Sequence, residues 1–368
     1  DFGNFTLSKL LWQSRHELRA FDRSGEPISL DAEGLAFQAS TGDVFVSTEP
    51  SRYFRLPPWH TWRSSSNSSV NAQLLDVQPG ARVTQNELPN QGLEAFTFRR
   101  KTLVAGLEGP LVQDDPQVRR IMEVDTEGRL LWSGFLLVDA TTPPPLLLSE
   151  LAALELNRSG GPRYLALERR WSRQMGNDIR LYLLDVAGAD DVSNCSAICD
   201  GACAFQGHWW KEDLTAIRKS LLLHWTPSAP LEGLAVENYE AMAVVPPEAF
   251  GHQSYEELGG VAVLLVNDNN DNPRQLGTQF VLFRLAFDTP TTPVTPGHPR
   301  STTSGAALVA VASVLGLVLL SLACCCYLRS RRCRSRRHQA LQEEMDERGG
   351  ARQIGRAQLG AAEPRSVV

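Results

Sequence analysis

The sequence predicts an all-β body arranged as a β-propeller of about six blades, followed by a stalk and one transmembrane helix. Three observations carry this. A hairpin flanked by acidic residues recurs at wide and similar spacing. Short apolar strands separated by turn signals fill residues 1–288. An uncharged apolar run of helical length stands near the carboxyl end.

The clearest copy of the hairpin is residues 88–111, LPNQGLEAFTFRRKTLVAGLEGPL. Glu94 precedes an apolar strand at 95–98, a basic turn leads into a second strand at 102–105, and Glu108 follows. Residues 31–49 place Glu33 and Glu49 in the same positions. Residues 153–168 place Glu155 and Glu168 there, and residues 238–268 place Glu240 and Asp268 around a longer loop. Glu33 to Glu94 is 61 residues and Glu94 to Glu155 is 61 again. A degenerate unit recurring at such a period is how propeller blades read in sequence.

Taken in order, residues 1–30 hold two apolar-alternating runs, FTLSKLLW and HELRAFD, which read as strands before a turn at Gly25. After Glu49 come Arg52 and Arg55, then an aromatic loop with Trp59, His60 and Trp62, which reads as packing on the propeller rim or as a stacking platform for a ligand. A hairpin is expected at 118–139 around the turn Asp125-Thr-Glu-Gly128. Residues 146–154 read as a short helix after a proline break, and residues 179–186 as a strand. Residues 261–266 and 279–287 are apolar strands of the last blade. Between those strands Asp268, Asn270 and Asn272 have calcium-loop spacing, but Pro273 stands where an EF-hand needs Gly and Gln279 where it needs Glu, so an EF-hand is excluded.

Several of these pieces together resemble the esterase-like/phytase-like domain family. They are EGLAF with VFVSTEPSR, NQGLEAFTF with LVAGLEGPL, YLALERR followed by IRLYLLDVAGADDVS, then IRKSLLL, NYEAMAVV and LLVNDNND, spanning residues 31–287 in the family's order. The resemblance implies a propeller and, from the family's name, hydrolysis of phosphate or other esters. It also implies a truncated first blade, because the family pattern begins with strands upstream of EGLAF. The chain opens at Asp1 without Met or an apolar leader, so either a removed signal peptide or a fragment is expected. The segment around Cys195, Cys199 and Cys203 departs from the family pattern. Its four-residue cysteine spacing suits disulfide use with one thiol left over better than a zinc site.

The carboxyl-terminal fifth of the sequence sets topology. Residues 289–304, rich in Pro and Thr, read as an extended stalk. Residues 305–328 carry no charge and as a helix would reach about 36 Å, against a hydrocarbon core of roughly 30 Å. Six Arg lie in the next nine residues, which places the basic tail, 329–368, in the cytosol and the body outside the cell or in a lumen. Asn4, Asn67, Asn157 and Asn194 head glycosylation sequons, all before the span. Cys324, Cys325, Cys326 and Cys333 sit at the cytosolic boundary beside Arg. They read either as S-palmitoylation sites or as small apolar helix residues.

The net charge of −6 conceals an asymmetry. Ten Arg and five acids after residue 328 give +5, which leaves −11 for the rest. An acidic body argues against a nucleic-acid partner and suits cation binding. No Gly-x-Ser-x-Gly elbow or HExxH pair is present, so the chemistry rests on acids. Repeated positions of a propeller converge on its axis. Glu33, Glu94 and Glu240, with Glu168 and Asp268, are therefore expected to hold a cation, for which calcium with its six to eight oxygen ligands is the natural occupant. Arg52, Arg169 and Lys219, with Arg170 nearby, are candidates to bind an anionic small-molecule substrate. The same acids could instead accept backbone N–H bonds at blade junctions. The alternative function is a non-catalytic membrane-anchored propeller that binds a ligand or protein.

Overall fold

The computed structural model describes residues 17–21, 24–62, 69–75, 86–139, 144–155, 162–199, 208–229, 236–268 and 278–286. Outside them lie the strand expected at 5–12, Asn4, Asn67, Asn157, Cys203, the stalk, the apolar run 305–328 and the cysteines Cys324, Cys325, Cys326 and Cys333. Among the described residues no helix is long and apolar enough to cross a membrane.

Nearly all described secondary structure is strand, gathered into four blade-like sheets of a propeller arrangement. Blade one is the meander β3 (Asp31–Gln38), β4 (Asp43–Glu49), β5 (Arg52–Leu56) and β6 (Ser69–Leu75). Its outer edge is extended by β1 (Glu17–Phe21), parallel to β6, and β2 (Pro27–Ile28). Blade two comprises β7 (Leu93–Arg99), β8 (Thr102–Leu107), β9 (Val118–Asp125) and β10 (Leu130–Leu137). In blade three β11 (Leu147–Leu154), β12 (Arg163–Ser172) and β13 (Gly176–Asp185) are joined by β16 (Arg218–Trp225). A parallel pair, β14 (Ala197–Cys199) and β15 (His208–Trp210), interrupts the sequence before β16. Blade four is β17 (Tyr239–Val245), β18 (Gly260–Asn267) and β19 (Phe280–Ala286).

Each blade begins with its inner strand, and these strands pack in succession, β3 on β7, β7 on β11 and β11 on β17. The blades are glued face to face by apolar clusters. Phe45, Tyr53, Phe96 and Leu103 lie between blades one and two, Leu148, Tyr164 and Tyr182 with Val104 between two and three, and Leu165, Trp225, Tyr239 and Val263 between three and four. Burial on both faces explains why these strands are apolar almost throughout.

Two expectations are corrected. The described residues form four blades, where about six were expected, and β1 and β2 lie on the outer edge of blade one. The run 146–154 is the inner strand β11, where a short helix was expected. Leu, Glu and Ala favour helices in isolation, but here both sides of the segment are covered by neighbouring inner strands, and tertiary burial overrides propensity.

The cysteine insert docks on blade two. Asp114 accepts the Ile198 N–H at 2.8 Å and forms a fully buried ion pair with Arg120 at 2.7 Å, while Arg120 also donates to the Cys195 carbonyl at 2.9 Å. Cys199 is disulfide-bonded, and among the described residues Cys195 is a free thiol, buried against Val118, Phe135 and Ile198. Asn194 is exposed.

Candidate functional site: an acidic row on the inner strands

A β-bulge opens every inner strand, and acids sit at or beside it. In β3 the pairing skips from Ala32 to Leu35, in β7 from Leu93 to Ala95, in β11 from Leu148 to Glu150 and in β17 from Tyr239 to Ala241. The skipped residues include Glu33, Glu94 and Glu240, so an extra residue re-aims the carboxyl at the same point of three blades. Gly34 completes the first bulge. A Cβ there would lie 2.4 Å from Phe96 Cβ, 2.5 Å from Ser47 Oγ and 2.6 Å from the Glu94 carbonyl. Its N–H donates to Ser47 Oγ at 3.0 Å, and Ser47 in turn donates to the Leu93 carbonyl at 2.9 Å. Blades one and two are stitched together beside their acids.

The second strand of each hairpin supplies another acid. Glu49 ends β4, Glu108 follows β8, Glu168 lies in β12 and Asp268 follows β18; all four are buried. Carboxylate oxygens of Asp31, Glu33 and Glu49 lie within 4.8 Å of one another, as do those of Glu49, Glu94 and Glu108, so Glu49 belongs to both groups. Asp31 and Glu49 are also direct cross-strand partners, a like-charge pairing that is unfavourable unless something positive compensates. The donor set is carboxylate oxygen throughout, which is the chemistry a hard divalent cation such as calcium takes. The residues present therefore fit calcium.

The other end of the row contains a cation from the chain itself. Arg169 of β12 reaches Glu240 at 2.5 Å, Glu108 at 3.2 Å and Glu94 at 3.9 Å. Lys219 holds both oxygens of Glu168, at 2.7 and 2.9 Å, and lies 4.1 Å from the centre of the Tyr182 ring. Burial holds the Glu168 carboxyl above the usual carboxylate range, against the pull of Lys219. Nearby, the Arg119 side chain is pushed down to about 10 by burial, opposed by Glu168, Glu108 and Asp115. It donates to the Leu146 carbonyl at 2.6 Å, pinning the start of β11.

Expected site residues thus divide. Glu33 and Glu94 join the acid groups, and Glu240 reaches the same row through Arg169. Glu168 is held by Lys219. Asp268 is buried beside Asn238, whose carbonyl accepts its N–H at 2.9 Å and whose side chain donates to Glu240 at 2.8 Å. Arg169 and Lys219, expected to face an anionic substrate, face carboxylates instead; Arg52 is exposed at the start of β5. Arg170 pairs with Asp178 at 2.7 Å on its own blade.

Glu150, Glu49 and Asp31 were not among the expected ligands. Glu150 takes the place in blade three that sequence spacing gave to Glu155. It accepts the Phe96 N–H at 3.0 Å and the Leu151 N–H at 2.9 Å, and its carboxyl is pushed up to about 8 by burial, with the charge of Glu94 adding to the shift. Glu49 accepts the Gly92 N–H at 2.7 Å. Blade-corner hydrogen bonding therefore coexists with the acid groups. The signal for Glu150 was an acid inside an apolar run, hidden by the helical reading of that run.

Among solved structures, "Structure of Dos1 propeller" is similar over 68% of this chain and 47% of that one, at 10% identity and a TM-score of 0.29. The chain thus spans about half the length of that propeller's chain. No curated protein matches. A family model described as "Phytase-like: Esterase-like activity of phytase" matches residues 7–271, which include all four inner strands and every acid of the row. The chain belongs to the phytase-like (esterase-like) family.

Proposed function

We propose that the chain is a membrane-anchored propeller that binds calcium in its acidic row and hydrolyses phosphate or other esters there. The body lies outside the cell or in a lumen, and the basic tail lies in the cytosol. The observation that carries the calcium reading is the convergence of carboxylates from two blades to within 4.8 Å, with Glu49 common to both groups. Asp31, Glu33 and Glu49 would hold the ion, with Glu94 and Glu108 adding negative charge beside it. A bound divalent cation supplies Lewis-acid polarisation of an ester oxygen and neutralises charge that develops on it. The chain's own residues arrange the surroundings. Glu150 keeps a proton at neutral pH, Arg169 fixes Glu240 and Glu108, and the exposed Arg52 is available to an anionic substituent.

A second reading, a calcium-binding module without turnover, is favoured by one feature. Arg169 and Lys219, two cations beside the row, are engaged by carboxylates and so are poorly placed to clamp a substrate anion. The test is release of phosphate from phytate and simple phosphomonoesters, and of alcohol from carboxyl esters, by the purified full chain. Turnover that disappears with chelator and in Glu94→Gln supports hydrolysis. Calcium binding with no turnover on any of these substrates selects the binding module.

The topology has its own test. Protease added to sealed microsomes should trim only the last few kilodaltons, and digestion of the body would refute it.

A further inference from the structure

We propose that Arg169 is a built-in substitute for a metal ion. As a guanidinium it occupies the part of the acidic row between blades two and four, and it thereby confines divalent-cation binding to the Asp31, Glu33 and Glu49 end. The second half of this statement rests on the calcium reading above; the first half does not.

The geometry sets Arg169 apart from the other buried cations. Arg170, its neighbour on β12, pairs with Asp178 of its own blade. Lys219 pairs with Glu168 of its own blade, and Arg120 with Asp114. Arg169 belongs to blade three, yet its Nη2 meets Glu94 and Glu108 of blade two and Glu240 of blade four. One positive centre with oxygens converging on it from separate strands is the arrangement a bound cation has. A guanidinium can meet several oxygens at once because it offers five N–H donors and keeps its charge when buried.

Charge gives the consequence. Three carboxylates and one guanidinium carry a formal −2; without Arg169 they carry −3, and one divalent ion would return them to −1. Glu94 and Glu108 also belong to the group that Glu49 completes, so the two ends of the row share ligands. Removing Arg169 should therefore open a second cation site next to the first.

The test uses the full chain in detergent, melted in chelator and in millimolar calcium, with bound calcium counted at equilibrium. Arg169→Gln should melt roughly 10 °C below the wild type in chelator. Calcium should recover most of that loss, and the variant should bind one ion more than the wild type. Arg169→Lys, which keeps the charge, should need no added calcium. An Arg169→Gln chain that melts equally low with and without calcium, or that binds no additional ion, overturns the proposal. If Arg169→Gln does not fold, Glu240→Gln decides: it should leave the wild-type number of bound ions unchanged, and a lower number would mean that calcium already uses the Arg169 carboxylates. A wild type that binds none and a variant that binds one uphold Arg169 as the resident cation and sink the calcium reading. One ion in each does the reverse.

Discussion

The two ends of the acidic row present the same backbone device with different surroundings. At the blade-one end, a bulge at Glu33 and Gly34 brings three carboxylates within 4.8 Å of one another, two of them direct cross-strand partners. At the blade-four end, a bulge at Glu240 brings a carboxylate to the same axis, where Arg169 meets it at 2.5 Å. Gathering carboxylates requires positive charge, because like charges at such distances repel one another and oppose folding. At the blade-four end Arg169 supplies that charge from the chain itself. The blade-one end gathers carboxylate oxygens, donors that suit a hard divalent cation. The comparison separates what the fold supplies, a repeated corner, from what individual side chains add.

The largest expected effect comes from breaking the corner itself. Gly34→Val drives a side chain into Phe96 Cβ, Ser47 Oγ and the Glu94 carbonyl, and should cost about 3 kcal/mol or more in a chemical melt. A smaller but still large effect is expected at the internally neutralised pair. Glu168→Gln leaves the Lys219 ammonium beside a neutral amide and should cost on the order of 2–3 kcal/mol, reduced from a fully buried pair because Lys219 keeps some exposure. The double variant with Lys219→Met should lose less than the sum of the single losses. Additive losses would mean that the pair does not couple.

Glu150 sharpens the comparison through pH. Its folded carboxyl is held at about 8 against 4.5 for the ordinary group, so the folded state keeps a proton that the unfolded state has released. Its contribution to stability is full below pH 4.5 and is lost as pH rises through about 8. The melting temperature of the wild type relative to Glu150→Gln should therefore fall across that window. A difference that stays flat with pH would show that Glu150 is not protonated in the fold.

How much of this was legible in the sequence differs from residue to residue. Glu33, Glu94 and Glu240 could be found because each stands before an apolar strand with a recognisable partner strand, and local pattern suffices for that. The inner strand of blade three escaped because the run containing Glu150 is equally good helix by propensity, and only burial between β7 and β17 makes it a strand. The error moved the third acid to Glu155, which is exposed, and made the second 61-residue interval a coincidence. Among the described residues four blades stand where about six were expected, because a hairpin pattern marks the inner strands of a blade but does not count the blades. Arg169 was visible as a cation near acids, but its partners come from blades two and four. Such contacts depend on how blades stack, which no local spacing encodes.

The most direct test of calcium at the blade-one end is a calorimetric titration of the full chain with calcium, repeated on Glu49→Gln. Gln keeps an oxygen to accept the Gly92 N–H but removes the charge common to both acid groups. The wild type should bind with a dissociation constant of roughly 10⁻⁴–10⁻³ M, the range of extracellular calcium sites, and Glu49→Gln should bind at least about tenfold more weakly. Equal affinity in the two proteins, or no binding by the wild type, would contradict the account.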